Sequence, residues 1–230
     1  MSGRPLLSLE TGWSTTRSTL EVATVNALYP FNVWNDERAR QTEALAALAA
    51  AAGATALVMC PLNEGKMLED TPEKAAGLRA ALSGIRPILK SRGLKGFVEP
   101  LGFPVSSLRF KRDAVAAIDA IDGADVFSVV HDTFHHRGAG EHQIFAGRTG
   151  LVHISGLEDA KISFGDMLDG HRVLVGPMDR LGNIEQLRQL YADGYDGVVS
   201  FEPFAKEVHG LPDPIAAVRE SMAYVREALA

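Results

Sequence analysis

The chain has 230 residues, with 23 Lys and Arg, 29 Asp and Glu, and a formal net charge of −6. Hydrophobic residues make up 46% of it, which is typical of a folded globular protein and excludes a disordered chain. The acidic balance argues against nucleic acid as a partner, and the single cysteine, Cys60, excludes an internal disulfide and a cysteine-rich zinc site.

No segment has the pattern of a signal peptide or a membrane span. The N-terminal apolar run is too short for a signal peptide, and the longest apolar stretch, 44–52, is too short and too rich in alanine to cross a bilayer. We therefore predict a cytoplasmic protein with no membrane partner. Because no linker or internal repeat divides the chain, residues 1–230 are predicted to form a single domain.

Six short runs rich in β-branched or aromatic residues predict six strands. In chain order these are 20–25, 56–60, 96–99, 126–132, 151–155 and 197–202. The first predicted helix follows Asn35, a typical N-cap residue, and ends before Gly53. Later predicted helices cover 72–91, 112–121 and 184–192. Nearly continuous apolar strands that alternate with helices favour an α/β fold with a parallel sheet.

The spacing between strand starts is typical of a TIM-type (β/α)8 barrel, in which eight units occupy roughly 250 residues. The strand count is lower than eight. A run at 172–175 is a doubtful seventh candidate, so a complete barrel would need further strands at the N-terminus.

Four ionisable residues stand at or near the C-terminal ends of four successive predicted strands: Glu99, Asp132, His153 and Glu202. In α/β folds these strand ends meet at one mouth. Three carboxylates in a partly dry site raise one another's pKa values, so a divalent cation is the natural partner that keeps them ionised. Mn²⁺, Mg²⁺, Co²⁺ and Zn²⁺ all suit such ligands. The alternative is that each residue is a solvated strand end.

Other residues near strand ends are candidates for binding a substrate. His135 lies just after a strand end and is favoured to contact a substrate oxygen. Arg172 would either clamp a substrate oxygen or solvate its loop, and Asn26 would either bind a hydroxyl-rich ligand or begin a loop. His131 and Cys60 are interpreted as packing residues. Aromatic residues that could wall a pocket are Trp13, Phe31, Trp34 and Phe103, of which Phe31 and Trp34 are favoured.

The sequences around the four strand ends resemble those of the xylose isomerase-like TIM-barrel family. This family includes sugar epimerases, hydroxypyruvate isomerase and inosose-processing enzymes. The resemblance extends from Leu20 over nearly the whole chain and is carried by the segments FVEP, HDTFH, LVHIS and VVSFEPF. Within the family, VNALYPFN at 25–32 is most similar to inosose (2-keto-myo-inositol) isomerase.

The resemblance implies that Glu99, Asp132, His153 and Glu202 bind one divalent metal ion. It also implies that Glu99 and Glu202 are the catalytic acid/base groups and that His135 and Arg172 bind substrate. The expected function is therefore a metal-dependent isomerase or epimerase (EC 5.3 or 5.1 type). Its substrate would be a small polyhydroxy ketone, best matched by 2-keto-myo-inositol, and the proton would move through a metal-bound enediolate.

The sequence departs from the family at its N-terminus and in one loop. Relatives begin with a strand, a helix and a second strand, whereas residues 1–18 match only the helix that leads into the third strand, so we expect an N-terminally short barrel. The segment VGPMDRLGN at 175–183 replaces a glycine-rich one. A second copy of the chain that covers the open sheet, and hence a homo-oligomer, would be one explanation.

Three alternative functions remain open. Inosose dehydratase and hydroxypyruvate isomerase would use the same residues, with a β-hydroxyl expelled in the first case. The alternative of another class is a non-catalytic ligand-binding protein with a truncated barrel.

Overall fold

The structure, a computed structural model, describes residues 21–64 and 71–230. Six strands form one parallel sheet in which each strand pairs with the next along the chain. They are β1 (Thr24–Leu28), β2 (Ala56–Met59), β3 (Lys95–Val98), β4 (Phe127–Asp132), β5 (Thr149–Ile154) and β6 (Val199–Phe201). The predicted α/β fold with a parallel sheet is confirmed.

Seven α-helices are seen in the described part of the chain. They are α1 (Asp36–Ala51), α2 (Pro72–Lys90), α3 (Lys111–Ala120), α4 (Thr133–Ala139), α5 (Asn183–Ala192), α6 (Lys206–His209) and α7 (Pro214–Leu229). Short 3-10 turns cover Ala146–Arg148 and Asp169–His171. The first helix begins after Asn35, whose side chain accepts a hydrogen bond from the Arg38 backbone N–H at 2.9 Å. Within the described ranges, no helix has the length and apolar content needed to span a bilayer.

Two predicted strand positions differ from the structure. The first strand is Thr24–Leu28 rather than 20–25, because its register is set by pairing of Thr24 with Ala56 and of Leu28 with Met59. The doubtful strand at 172–175 is wrong, since Val173 forms only an isolated antiparallel bridge with Gly156. The N-terminal helix predicted at 1–18 lies outside the described residues.

The sheet buries apolar residues on both faces, which explains why its strands read as continuous apolar runs. Leu57 and Met59 of β2 belong to a large core cluster that also includes residues of α1, α2 and α3. Val58, between them, points to the opposite face and packs with Val130 and Leu151 in a small cluster. This inner cluster also contacts Cys60, at the end of the sheet where the candidate site lies.

A buried polar group lies behind β4, where His131 is fully buried as its alternation with Asp132 predicts. The His131 ring is 2.7 Å from Lys111 Nζ and 2.9 Å from Gln186 Oε1. Burial, followed by the charge of Lys111, lowers the pKa of His131 to about 3, so the ring is neutral. His131 is thus a satisfied packing residue that ties β4 to α3 and α5.

The cap of α1 gives a stability test of this fold. Asn35→Ala removes the acceptor for the Arg38 N–H, and we expect the free energy of unfolding to fall by about 1 kcal/mol. Asn35→Asp keeps an acceptor and should retain wild-type stability. Urea unfolding followed by circular dichroism measures both, and equal stability of the alanine variant and the wild type would contradict the assigned cap.

Candidate functional site

The sheet brings the four predicted strand-end residues together. Glu99 and Glu202 directly follow β3 and β6, Asp132 ends β4, and His153 is the fifth residue of β5, where it pairs with Asp132 across the sheet. One ligand atom from each of the four side chains lies within 4.8 Å of every other. The strand-end pattern therefore corresponds to a real cluster of side chains.

The cluster is held by short polar contacts. His153 Nδ1 lies 2.9 Å from Glu99 Oε1 and 3.3 Å from Glu202 Oε2. Arg172 Nη2 donates to Asp132 Oδ2 at 2.6 Å and to Glu202 Oε2 at 2.8 Å. Three of the four ligand residues are buried, and the Glu202 side chain is 17% exposed. Two cationic groups thus compensate three carboxylates.

Burial and these contacts shift the pKa values of His153, Asp132 and Glu202. Burial disfavours a charged imidazole, but hydrogen bonds to Glu202 and Glu99 outweigh it and raise the pKa of His153 to about 10. Burial alone would raise the pKa of Asp132, but the Arg172 guanidinium holds it well below its usual range. Burial and the neighbouring charges of Glu99 and Asp132 raise the pKa of Glu202. A proton on His153 thus provides part of the positive charge that the cluster needs.

The donor set fits a single divalent cation. Ligand atoms that each lie about 2.0 to 2.2 Å from a cation are separated by at most about 4.4 Å, so the observed 4.8 Å limit requires only small side-chain movements. Three carboxylates and one imidazole suit cations of intermediate hardness, and they do not select one of them. A divalent cation bound here would supply the positive charge that the proton on His153 supplies when no cation is bound.

A cavity of about 320 Å³ opens over the cluster. His135 lines this cavity and is 4% exposed, and its Nδ1 atom has no hydrogen-bond partner among residues 21–64 and 71–230. Its ring is fixed edge-on against Phe103 and Phe134, with ring centroids 5.0 and 5.4 Å away. Asn26, an exposed residue of β1, also lines the cavity. Two of the predicted substrate contacts therefore lie where a ligand would meet them.

Arg172 is a buried structural cation rather than a solvated loop residue. Its side chain is 1% exposed, and Nε donates to Ser155 Oγ at 3.1 Å. Phe134 and Phe204 each lie 4.9 Å from the guanidinium carbon. Arg172 lines the same cavity, which places it at the candidate site. Its burial excludes the alternative that it only solvates its loop.

Phe31 and Trp34 are not brought to this cavity. Phe31 is fully buried in the main core cluster, and its N–H donates to the Cys60 carbonyl at 3.0 Å. Trp34 packs against the same cluster beside Gly84 of α2. Phe103 and Phe204 line the cavity instead, and Trp13 lies outside the described residues. The placement of Phe31 and Trp34 corrects their interpretation as a pocket wall.

Sequence reasoning missed the thiol and one of the carboxylates that line the cavity. Cys60, interpreted as packing, donates from its thiol to Glu99 Oε2 at 3.3 Å. It follows β2 directly, so the strand-end pattern that found Glu99 could have found it too. Asp169 lies in a 3-10 turn between β5 and β6, where no strand or motif signals its position.

Comparison with known proteins identifies the fold. Residues 14–228 match the family model described as xylose isomerase-like TIM barrel. No curated protein sequence matches the chain. A solved xylose isomerase domain-containing protein from Salmonella typhimurium LT2 is 33% identical, with a TM-score of 0.81, and the match covers 91% of this chain and 76% of that one. The predicted TIM-type barrel is therefore confirmed.

Two more distant structures share the fold. One is a zinc-bound protein named IolI, 20% identical, with a TM-score of 0.76 over 90% of this chain and 76% of that one. The other is a 3-keto-D-glucoside 4-epimerase from E. coli, 18% identical, with a TM-score of 0.62 over 90% of this chain and 79% of that one. At these identities the likeness is one of fold.

The proton on His153 makes cation binding dependent on pH. Since the imidazole must lose that proton before it can bind a metal, we expect affinity for Mn²⁺ or Co²⁺ to rise with pH, by up to about tenfold per unit below pH 10. Calorimetry at pH 6, 7 and 8 in buffers of different ionisation enthalpy should show proton release on binding. His142→Gln, at an exposed position, is the control, and an affinity independent of pH would refute this role of His153.

A close backbone approach beside the site gives a second test. A Cβ on Gly102 would lie 2.1 Å from the His135 carbonyl oxygen, so Gly102→Ala must displace the start of α4. We expect a loss of about 1 to 3 kcal/mol in stability together with weaker metal binding. Gly138→Ala, whose nearest neighbour is the flexible end of Met167 at 3.1 Å, is the matched control. Thermal unfolding and calorimetry that show no difference between the two variants would contradict this reasoning.

Proposed function

The chain belongs to the xylose isomerase-like TIM barrel family, and on this premise we propose that it is a single-domain isomerase or epimerase that acts on a small polyhydroxy ketone with one divalent cation. The observation that carries the proposal is the cluster of four ligand atoms beneath a cavity that is also lined by His135, whose Nδ1 atom has no partner in the described part of the chain. Our specific candidate substrate is 2-keto-myo-inositol.

In this proposal Glu99, Asp132, His153 and Glu202 hold the metal. When bound, the cation supplies a Lewis acid that stabilises negative charge on neighbouring substrate oxygens. The protein's task is then to place a proton acceptor and a proton donor near the carbon between those oxygens.

Glu202 and Glu99 are assigned as the two proton-transfer groups. Glu202 is suited to the exchange of protons because it lines the cavity and its side chain, at 17% exposed, is the most accessible of the four proposed ligands. Its Oε2 atom is engaged by Arg172 and His153, so we assign proton transfer to Oε1. Glu99 also lines the cavity, but its side chain is only 4% exposed. The two carboxylates therefore both face the cavity, with Glu202 the more accessible of the two.

His135 and Asn26 are assigned to orient the substrate. Burial lowers the pKa of His135, so its ring is neutral near pH 7 and carries one N–H and one acceptor nitrogen. The unpartnered Nδ1 atom gains a partner when a substrate oxygen enters the cavity. Arg172 acts on the carboxylates: it fixes Asp132 and Glu202 at hydrogen-bond distance from the same nitrogen.

Glutamine substitutions test the acid/base assignment. Glu99→Gln and Glu202→Gln keep side-chain size and remove the proton-transfer group, so each should lower turnover at least about a hundredfold while the circular dichroism spectrum stays unchanged. Glu207→Gln, on the exposed surface of α6, is the matched control. The measurement is deuterium uptake from solvent into an inosose or ketose by the metal-loaded protein, followed by mass spectrometry.

The outcomes separate the candidate functions. Uptake at the wild-type rate by either glutamine variant would overturn the acid/base assignment. A product that has lost the mass of water identifies a dehydratase. Tight binding of a ketose without deuterium uptake or product by the wild type, with any of the four cations, would replace the enzyme proposal with a ligand-binding protein.

A further inference from the structure

We propose that Asp169, together with the ion pairs that Arg172 makes with Asp132 and Glu202, makes this cavity select uncharged polyhydroxy ketones over phosphorylated or carboxylated ones. The inference rests on the proposed function of the same site and extends it to the charge of the substrate. Three observations carry it: the charges around the cavity, the partners of Arg172, and the position of Asp169.

The cavity is surrounded by more negative than positive charge. Glu99, Asp169 and Glu202 line it, and Asp132 belongs to the ligand cluster at its floor. Among the described residues that line the cavity, Arg172 is the only lysine or arginine. Arg172 and a bound divalent cation together offset three of the four negative charges, so the cavity retains a net negative charge that repels an anion.

Arg172 has only one N–H group, on Nη1, that is not already engaged by a side chain of the site. Each of its three side-chain nitrogens already has a partner: Ser155 for Nε, Asp132 and Glu202 for Nη2, and Asp169 for Nη1 at 3.4 Å. The neighbouring rings of Phe134 and Phe204 further limit access to its guanidinium group. An anionic group that bound Arg172 through more than this one N–H would have to break its ion pairs with Asp132 or Glu202 and leave a buried carboxylate uncompensated, which is costly.

Asp169 places a carboxylate beside the entering ligand. Its side chain is 51% exposed, unlike the buried carboxylates of Glu99 and Asp132. A group exposed to this extent is hydrated at little cost, and it accepts hydrogen bonds from substrate hydroxyls. The same carboxylate repels a phosphate or carboxylate on the substrate, so it discriminates by repulsion as well as by attraction.

The rest of the cavity suits an uncharged ring or chain. Ala27, Leu101, Phe103 and Phe204 give it an apolar side that can pack on C–H groups, whereas Asn26, His135 and Asp169 offer polar atoms to hydroxyls. The volume of about 320 Å³ is of the size used for small ligands. Among the candidate substrates, this favours 2-keto-myo-inositol, which is uncharged, over hydroxypyruvate, which carries a carboxylate.

The test compares pairs of ligands that differ by one phosphate group. Binding of myo-inositol and of an inositol monophosphate to the Mn²⁺-loaded protein is measured by calorimetry, and turnover of a ketohexose and its 6-phosphate is measured in parallel. We expect the wild type to favour the uncharged member at least tenfold in both measurements. Raising the ionic strength should narrow this preference, because salt screens the repulsion.

Charge substitutions at position 169 assign the preference to this residue. Asp169→Asn should reduce the preference several-fold, and Asp169→Lys should reduce it more than tenfold, mainly by tighter binding of the phosphorylated ligand. Asp193→Lys makes the same change in net charge at the C-terminal end of α5, on the exposed surface, and should leave the preference unchanged.

The results distinguish failure of this inference from failure of the proposed function. Equal or tighter binding of the phosphorylated ligand by the wild type, or no change in preference in Asp169→Lys, overturns the inference even if the ketohexose is turned over. A binding preference for the uncharged ligand that depends on Asp169, without turnover of any ketose, supports the inference and overturns the isomerase proposal. Absence of both binding and turnover overturns both.

Discussion

Three carboxylates, from Glu99, Asp132 and Glu202, lie close together in a part of the protein that is largely closed to water. Such groups remain charged only if positive charge compensates them within a few ångströms. Arg172 provides one charge and a proton on His153 provides another. Most other features of the site follow from this requirement: the burial of Arg172, the raised pKa of His153, and the fit of the cluster to a cation.

The fold meets this requirement by drawing each ligand from a different strand. Because β3, β4, β5 and β6 are parallel and pair in sequence, their C-terminal ends lie side by side and present one ligand each. Helices and the inner apolar cluster fix the strands from both faces. The position of each side chain is therefore set by the rigid sheet, and the loops add contacts around it.

The parts of this site that could be predicted are those that depend on strand ends. Glu99, Asp132, His153 and Glu202 were identified because an apolar run shows where a strand stops, and helix boundaries followed from caps such as Asn35. Phe31 was misplaced because the direction of the chain after β1 depends on a long-range hydrogen bond to Cys60, which no local pattern reveals. Asp169 was missed because its turn is held beside the site by the ion pairs that the neighbouring Arg172 makes with Asp132 and Glu202, which are distant in sequence.

Asp132 combines two functions in a single short side chain. Its Oδ1 atom accepts the backbone N–H groups of Phe134 and His135 at the start of α4, and its Oδ2 atom contacts Arg172. One methylene more, as in glutamate, would carry the carboxylate beyond the amides of its own helix before it reached the arginine. A glutamate has the same charge and the same two oxygens, but its greater length would disturb both the start of α4 and the contact with Arg172.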